Sequence, residues 1–145
     1  MKVLIPVDGS ENAMRAVAHV LALRRETPAL EIHLLAVQIP IDGHARSFVS
    51  KEALEDYHRE EGLAALASAR KQLDEAGVAY THHVAIGHVA DTIVRYARER
   101  GFDRIVMGSH GRTGLLHLLM GSVAREVSQR STVPVMLVKP DEAAR

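Results

Sequence analysis

The sequence predicts an α/β fold, a single domain with an open, mostly parallel five-stranded sheet and helices on both faces. Five short strand-like runs alternate strictly with four segments whose apolar residues recur at helical spacing. The 145 residues are the length of one ordinary domain. A content of 47% hydrophobic and 25% charged residues is typical of a folded globular protein.

The five strand predictions rest on short runs, mostly apolar, bounded by turn-forming or polar residues. The second run is apolar at every position except His33, which indicates a strand covered on both faces. The predicted strands are Val3–Val7, Ile32–Val37, Val78–Ile86, Arg104–Met107 and Val133–Val138.

The helix predictions combine apolar periodicity with residues that begin and end helices. Ser10 is the expected N-cap of the first helix, which ends near Arg24-Arg25, before Thr27-Pro28. Gly77 is the expected residue just beyond the second helix. The other predicted helical stretches run from Lys51 to Leu73, from Val89 to Arg100 and from Ser122 to Gln129. Residues 39–50 lack periodicity and predict an exposed loop.

Composition excludes several classes of function. The absence of cysteine excludes disulfides, cysteine-ligated zinc and thiol nucleophiles. Lys plus Arg and Asp plus Glu both number 18, so the chain has no net basic charge to attract nucleic acid. Since no apolar stretch is long enough for a signal sequence or a membrane span, we expect a cytoplasmic protein with no membrane partner.

Open parallel sheets bind ligands beyond the carboxyl ends of their strands, at the point where the strand order reverses. This rule selects four strand ends before any motif is considered. They are Asp8-Gly9-Ser10, Val37-Gln38, Gly87-His88 and Gly108-Ser109-His110.

The last of these strand ends opens a glycine-spaced segment. Two residues separate Gly108 from Gly111, and nine separate Gly111 from Gly121-Ser122, where a helix is predicted. Glycines at the strand end allow close approach to a ligand or positive φ, and amides at a helix N-terminus favour an anion such as phosphate. The alternative is that the glycines only form turns and that Ser122 is an ordinary N-cap.

Two common nucleotide motifs do not match this segment. A dinucleotide fingerprint would follow the first strand, where Gly9 stands alone. A P-loop requires Gly-Lys followed by Ser or Thr, which occurs nowhere in the chain. The spacing therefore indicates a different kind of nucleotide site.

The spacing of glycine, two residues, glycine, nine residues, glycine and serine resembles the nucleotide-binding members of the universal stress protein family. The first run, Val3–Ser10, and the last, Val133–Val138, also look like that family's opening and closing strands. The resemblance covers essentially the whole chain. It implies one domain over residues 1–145 with a flexible tail from about residue 140, and a Rossmann-like fold of the adenine nucleotide alpha hydrolase-like type.

The resemblance also implies roles for particular residues. Pro6, Val7 and Asp8 would line the adenine and ribose, with Asp8 accepting hydrogen bonds from ribose hydroxyls. Val37 would meet the base, and Met107 would lie beneath the ribose or base. The phosphates would be surrounded, mainly through backbone amides, by Gly108, Gly111, Gly121, Ser122 and Val123.

Three of the candidate residues have an open alternative. Arg112 suits phosphate because guanidinium pairs well with phosphate oxygens, and His110 lies in the same loop. The alternative for both is a solvated residue of an exposed loop. Asp8, which precedes Gly-Ser, is also a typical turn former that bonds its own downstream backbone.

By resemblance the ligand is ATP, AMP or ADP, with Mg or Mn carried on the phosphates, and the function is a dimeric sensor or regulator in the stress response. The homodimer would form through Val133–Val138; a plain edge strand, with one donor removed by Pro134, is the alternative. We expect no catalytic residues and no metal ligands from the chain, because no HExxH or dedicated base is present. A slow ATP hydrolase and a dimerising scaffold with an empty site remain alternatives.

Overall fold

The structure is a computed structural model that describes residues 1–41, 43, 48–109 and 120–140. Five strands and four helices alternate in these ranges. They are β1 (Lys2–Pro6), α1 (Glu11–Glu26), β2 (Glu31–Gln38), α2 (Lys51–Glu75), β3 (Thr81–Ile86), α3 (Val89–Glu99), β4 (Arg104–Gly108), α4 (Ser122–Arg130) and β5 (Val135–Val138).

The sheet has the order β3-β2-β1-β4-β5, and every neighbouring pair is parallel. This confirms the predicted fold class. The chain leaves β1 in one direction to form β2 and β3, then returns to the other side of β1 to form β4 and β5. The strand order therefore reverses at β1, which places a ligand crevice beyond the carboxyl end of that strand.

Two cores cover the two faces of the sheet, because successive side chains of a strand point to opposite faces. Val3 and Ile5 of β1 belong to the core beneath α1 and α2, where they join Val17 and Leu66. Leu4 belongs to the second core, beneath α3 and α4. The continuous apolar runs thus reflect strands buried on both sides.

Two strands begin later than predicted. Gly77 has a φ of 69°, as expected of the residue after a helix, and the Val78 N–H donates to the Leu73 carbonyl at 3.2 Å. Val78 is thus part of the end of α2, and β3 begins at Thr81. The other strand is β5, which begins at Val135 rather than Val133. The Ser131 hydroxyl bonds both the N–H and the C=O of Val133, which forms a turn before β5.

The helix starts agree with the sequence at α1 and α2. The Ser10 hydroxyl accepts from the Ala13 N–H at 3.5 Å, which confirms the predicted N-cap. Within residues 39–50, Gly43 is exposed as expected but helical, so the predicted exposed loop is not irregular at that residue. Residues 42 and 44–47 lie outside the described ranges. The predicted tail falls on 141–145, also outside them. Among the described helices, even the 25-residue α2 lacks the sustained apolar stretch that crossing a membrane requires.

Gly108 is fixed by packing rather than by its backbone angles. It does not have positive φ. A Cβ atom at this position would lie 2.6 Å from the Asn12 Cβ and 2.8 Å from the Asn12 carbonyl oxygen. The end of β4 can therefore approach the first turn of α1 only if residue 108 has no side chain. The sequence-based expectation of a glycine needed for a ligand misses this requirement.

We predict that Gly108→Ala lowers the free energy of unfolding by about 1–3 kcal/mol, because the methyl group forces β4 away from α1. Urea unfolding measures this loss. Adding Asn12→Ala should not rescue the variant, since the backbone carbonyl of residue 12 is itself within 2.8 Å. Gly43→Ala, where no atom of the described residues lies within 4 Å, is the control and should be neutral or stabilising. Equal stability of Gly108→Ala and the wild type would contradict this account.

Candidate functional site

A cleft of about 520 Å³ lies at the carboxyl edge of the sheet, over the end of β1. We call it the switch-point cleft. Nine residues expected at the site from the sequence line it together: Pro6, Val7, Asp8, Val37, Met107, Gly108, Gly121, Ser122 and Val123. They come from four separate elements, and only the parallel sheet brings them to one edge.

The floor of the switch-point cleft is the turn that follows β1. Oδ1 of Asp8 accepts a hydrogen bond from the Ser10 N–H at 2.9 Å, so the turn-forming alternative for Asp8 is present in the structure. The same residue also lines the cleft, where it is partly exposed. The two roles are compatible, because a carboxylate has two oxygens and several acceptor sites.

One wall of the cleft is formed by the last residues of β2, which extend past the end of β1. The Leu35 carbonyl accepts from the Val7 N–H, so the backbone polar groups of Leu35 face β1. The Gln38 carbonyl accepts from the Gly87 N–H, so the backbone polar groups of Gln38 face β3. Because these directions alternate along a strand, the N–H and C=O of Val37 face the β1 side. There β1 has ended, and the chain has turned towards α1.

The opposite wall is the beginning of α4. Its N-cap is Gly121, and Ser122 is the first helical residue, so the interpretation of Ser122 as an N-cap is wrong. The Gly121 N–H already donates to the Ser109 carbonyl at 2.7 Å. With a glycine N-cap there is no side-chain hydrogen bond to the first turn, which leaves the amides of Ser122, Val123 and Ala124 without an intrahelical partner.

The remaining predicted site residues cannot be placed. His110, Gly111 and Arg112 lie in 110–119, outside the described residues. In the described part of the chain, the charged side chains that line the cleft are Asp8 and Glu61, and neither Lys nor Arg is among them. No group of three or more His, Asp or Glu side chains suited to a metal occurs within that part either.

Sequence reasoning missed the contribution of α2. Tyr57 and Glu61 line the cleft from this helix, and Ile39, Pro40 and Ile41 extend the apolar wall beyond β2. Tyr57 and Glu61 are four residues apart, a spacing that places them on one face of a helix. The spacing alone does not show which exposed face meets the cleft, because several faces of α2 carry charged residues.

The topology and the cleft define the class: a doubly wound parallel α/β protein with a cleft at the switch point of the sheet. The profile of the universal stress protein family matches residues 1–139. The chain belongs to this family.

Individual relatives are similar over nearly the whole chain. Universal stress protein MJ0531 of Methanocaldococcus jannaschii is 33% identical over 144 residues, which cover 95% of this chain and 81% of that protein. The solved structure of MJ0577, from the same organism, superposes with a TM-score of 0.81 at 33% identity, and the superposition covers 97% of this chain and 96% of that one.

A third similarity concerns the fold alone. A universal stress protein family protein from Arabidopsis thaliana, whose structure has AMP bound, superposes with a TM-score of 0.71 at 24% identity. The superposition covers 99% of this chain and 94% of the plant protein.

Proposed function

We propose that the switch-point cleft binds an adenine nucleotide, and that the protein acts as a nucleotide-responsive regulator in the stress response. One observation carries this proposal: a single cleft joins an outward-facing backbone edge on β2, a carboxylate after β1 and the uncapped first turn of α4. These three parts suit a base, a ribose and phosphates in that order. The Arabidopsis protein of the same fold was crystallised with a ligand of this kind, AMP.

The base would lie against Val37. Adenine presents an acceptor at N1 next to a donor at the N6 amino group, and the backbone of Val37 offers an N–H and a C=O on the side where β1 has ended. Half-buried Val37 and the apolar residues Ile39, Pro40 and Ile41 provide a surface for the flat ring. Met107, only 6% exposed, completes the floor of the cleft together with the turn after β1.

The ribose would lie over Asp8, between the base and α4. Oδ1 of Asp8 holds the turn to Ser10, and we assign its remaining acceptor sites to the ribose hydroxyls. The turn fixes the carboxylate before the ligand arrives, so little side-chain entropy is lost on binding.

The phosphates would lie at the N-terminus of α4. The amides of its first turn point along the helix axis, and the helix dipole favours negative charge there. Mg or Mn would be carried on the phosphates, since the described part of the cleft offers only the two carboxylates of Asp8 and Glu61. We assign the loop residues His110, Gly111 and Arg112 to the same phosphates.

Binding, rather than turnover, is the activity that we propose. Hydrolysis requires a group that orients water and groups that neutralise charge on the γ-phosphate. Of the two carboxylates in the described part of the cleft, Asp8 is already engaged in its turn, and Glu61 is an exposed residue of α2. The bound nucleotide would therefore act as a signal.

The open edge of β5 would form the homodimer. The carbonyls of Pro134 and Val138 accept from Ile105 and Ser109, so the backbone of even-numbered residues faces β4. The missing N–H of Pro134 is therefore on the inner side, and Val135 and Leu137 keep their N–H and C=O groups on the outer edge. Pro134 does not block pairing with a second copy, and pairing would cover an exposed sheet edge.

We predict that the cleft prefers ATP over GTP by about tenfold or more. Guanine has an acceptor at O6 and a donor at N1, so both polar groups of Val37 would be left opposite like groups. Isothermal titration with each nucleotide measures the preference, and mass spectrometry of ligand released from the purified protein identifies the native one. Equal affinity for ATP and GTP would contradict the assignment of the base to Val37.

We predict that Ser122→Pro raises the ATP dissociation constant about tenfold or more relative to Ser122→Ala. Proline at the first helical position removes one amide while preserving the helix start, and Gly121, with φ −64° and ψ 153°, has a conformation that suits the residue before proline. Ser122→Ala removes only the hydroxyl and is the matched control. If the two variants bind ATP equally while both remain folded, the amide of residue 122 does not contact phosphate.

We predict that Val135→Pro weakens self-association about tenfold or more relative to Val135→Ala. Neither variant keeps the branched valine side chain, but only proline removes an outward N–H from the edge of β5. Sedimentation equilibrium gives the two dissociation constants. A Val135→Pro protein that dimerises as well as Val135→Ala would place the dimer interface elsewhere.

A further inference from the structure

A chain of three titratable side chains crosses the sheet on the α3 face, away from the switch-point cleft. Nε2 of His33 lies 2.6 Å from Oε2 of Glu31, and Nδ1 of His33 lies 2.9 Å from Nε2 of His83. Glu31 and His33 belong to β2, whereas His83 belongs to β3, the edge strand. The histidine pair therefore links the edge strand to its neighbour through side chains as well as backbone.

Aromatic rings enclose the pair. Phe102 meets the His33 ring edge-on at 5.0 Å, and Tyr96 meets the His83 ring edge-on at 5.2 Å. His33 is only 8% exposed. Although His83 is only half-buried, water thus has little access to the His33 side of the bond between the two imidazoles. Nδ1 of His33 therefore depends on His83 as its hydrogen-bond partner.

The pair can satisfy this bond in only some protonation states. When both rings are neutral, His33 donates from Nε2 to Glu31 and accepts at Nδ1 from His83. With one added proton, His33 donates to both neighbours, and Nε2 of His83 becomes the acceptor. With two added protons, both facing nitrogens carry hydrogen, and the bond is lost.

Burial and the positive charges around His83 oppose the second proton. Burial, followed by the charges of His33 and Arg100, lowers the pKa of His83 below its ordinary value of 6.5. The hydrogen bond from His33 lowers the pKa of Glu31, so Glu31 remains an anion that balances the first proton. The charged or titratable groups that face the pair are Glu31, the Met1 amino group, Lys2, Tyr96 and Arg100, while His82 acts on His83 through its charge from the opposite face of β3.

We propose that Glu31, His33 and His83 form an acid-sensitive latch that holds the edge strand β3 against β2 at neutral pH and loosens it on acidification. The latch lies outside the switch-point cleft and does not depend on nucleotide binding. Towards their carboxyl ends the same two strands reach the rim of the cleft. There the N–H of Gly87, the residue after β3, donates to the carbonyl of Gln38, which lines the cleft.

The direction of the pH effect follows from linkage. His83 has a lower pKa in the folded chain than in the unfolded chain, so the unfolded chain binds more protons as the pH falls through 6.5. The contribution to stability is therefore present above 6.5 and is lost as the pH falls from there towards the folded pKa. The contribution of Glu31 to stability is lost only as the pH falls through 4.5 and below. The effects of His83 and Glu31 on stability therefore fall in different pH ranges.

The experiment compares the wild type with His83→Gln and His82→Gln between pH 7.5 and 5.5. Glutamine at 83 keeps polar atoms but does not titrate, and exposed His82 on the opposite face is the matched control. We expect the melting temperature of the wild type and of His82→Gln to fall about 3 °C more than that of His83→Gln. Hydrogen exchange of the Gly87 amide, corrected for its intrinsic rate, should accelerate up to about tenfold at pH 5.5 in the wild type and less in His83→Gln.

An equal fall in melting temperature in the wild type and His83→Gln would overturn the proposal. So would a fall that is present in the wild type and disappears in His82→Gln. Should His83→Gln fail to fold, Glu31→Gln provides the second test, because Glu31 is exposed at the surface. Without the anion the first proton is less favourable, so the melting temperature of Glu31→Gln should fall more steeply than that of the wild type between pH 7.5 and 5.5. An unchanged slope in that variant would also overturn the proposal.

Discussion

The structure depends on the short central strand β1, which ends at Pro6 between two neighbours that continue beyond it. β2 runs on to Gln38 and β4 to Gly108. Because every strand is parallel, the three carboxyl ends share one edge, and the early end of β1 leaves an opening between the other two. The turn at Asp8 and the cap at Ser10 then direct the chain into α1 and away from the opening.

The opening determines what the surrounding residues can do. On the β2 side, the N–H and C=O of Val37 face the space beyond the end of β1, where a longer β1 would have formed hydrogen bonds with them. On the β4 side, Gly108 allows the strand to press against Asn12, and α4 begins with a glycine that cannot cap its own first turn. The Ser109 carbonyl accepts the Gly121 N–H, and the Ser109 N–H donates to Val138, so the start of α4 is joined to the end of β5 through one residue. The proposed phosphate site and the proposed dimer edge therefore share a backbone connection.

Particular residues show how far sequence reasoning reaches. The strand and helix order, the N-cap Ser10 and the helix-ending Gly77 follow from local patterns, and the structure confirms them. Strand starts at Val78 and Val133 were wrong, because a helix end and a Ser131 turn use backbone groups that hydropathy does not reveal. The described site residues do meet in one cleft. However, the close contact that requires a glycine at 108 is with Asn12, and the amide of Gly121 is bonded to Ser109, and both partners are distant in sequence. Tyr57, Glu61 and the His33–His83 pair had no sequence signal that joined them to a partner.

The sequence by itself determined the alternation of strands and helices, the burial of the three central strands β2, β1 and β4 on both faces, and the spacing that leads from Gly108 to Ser122. These properties reside in local periodicity and in the conformational preferences of glycine and serine, which act over a few residues. Only the tertiary structure decided which backbone groups face the opening beyond β1, which face the edge of β5, and that His33 and His83 share a hydrogen bond. Those outcomes depend on strand order and register, where residues 50 positions apart become neighbours.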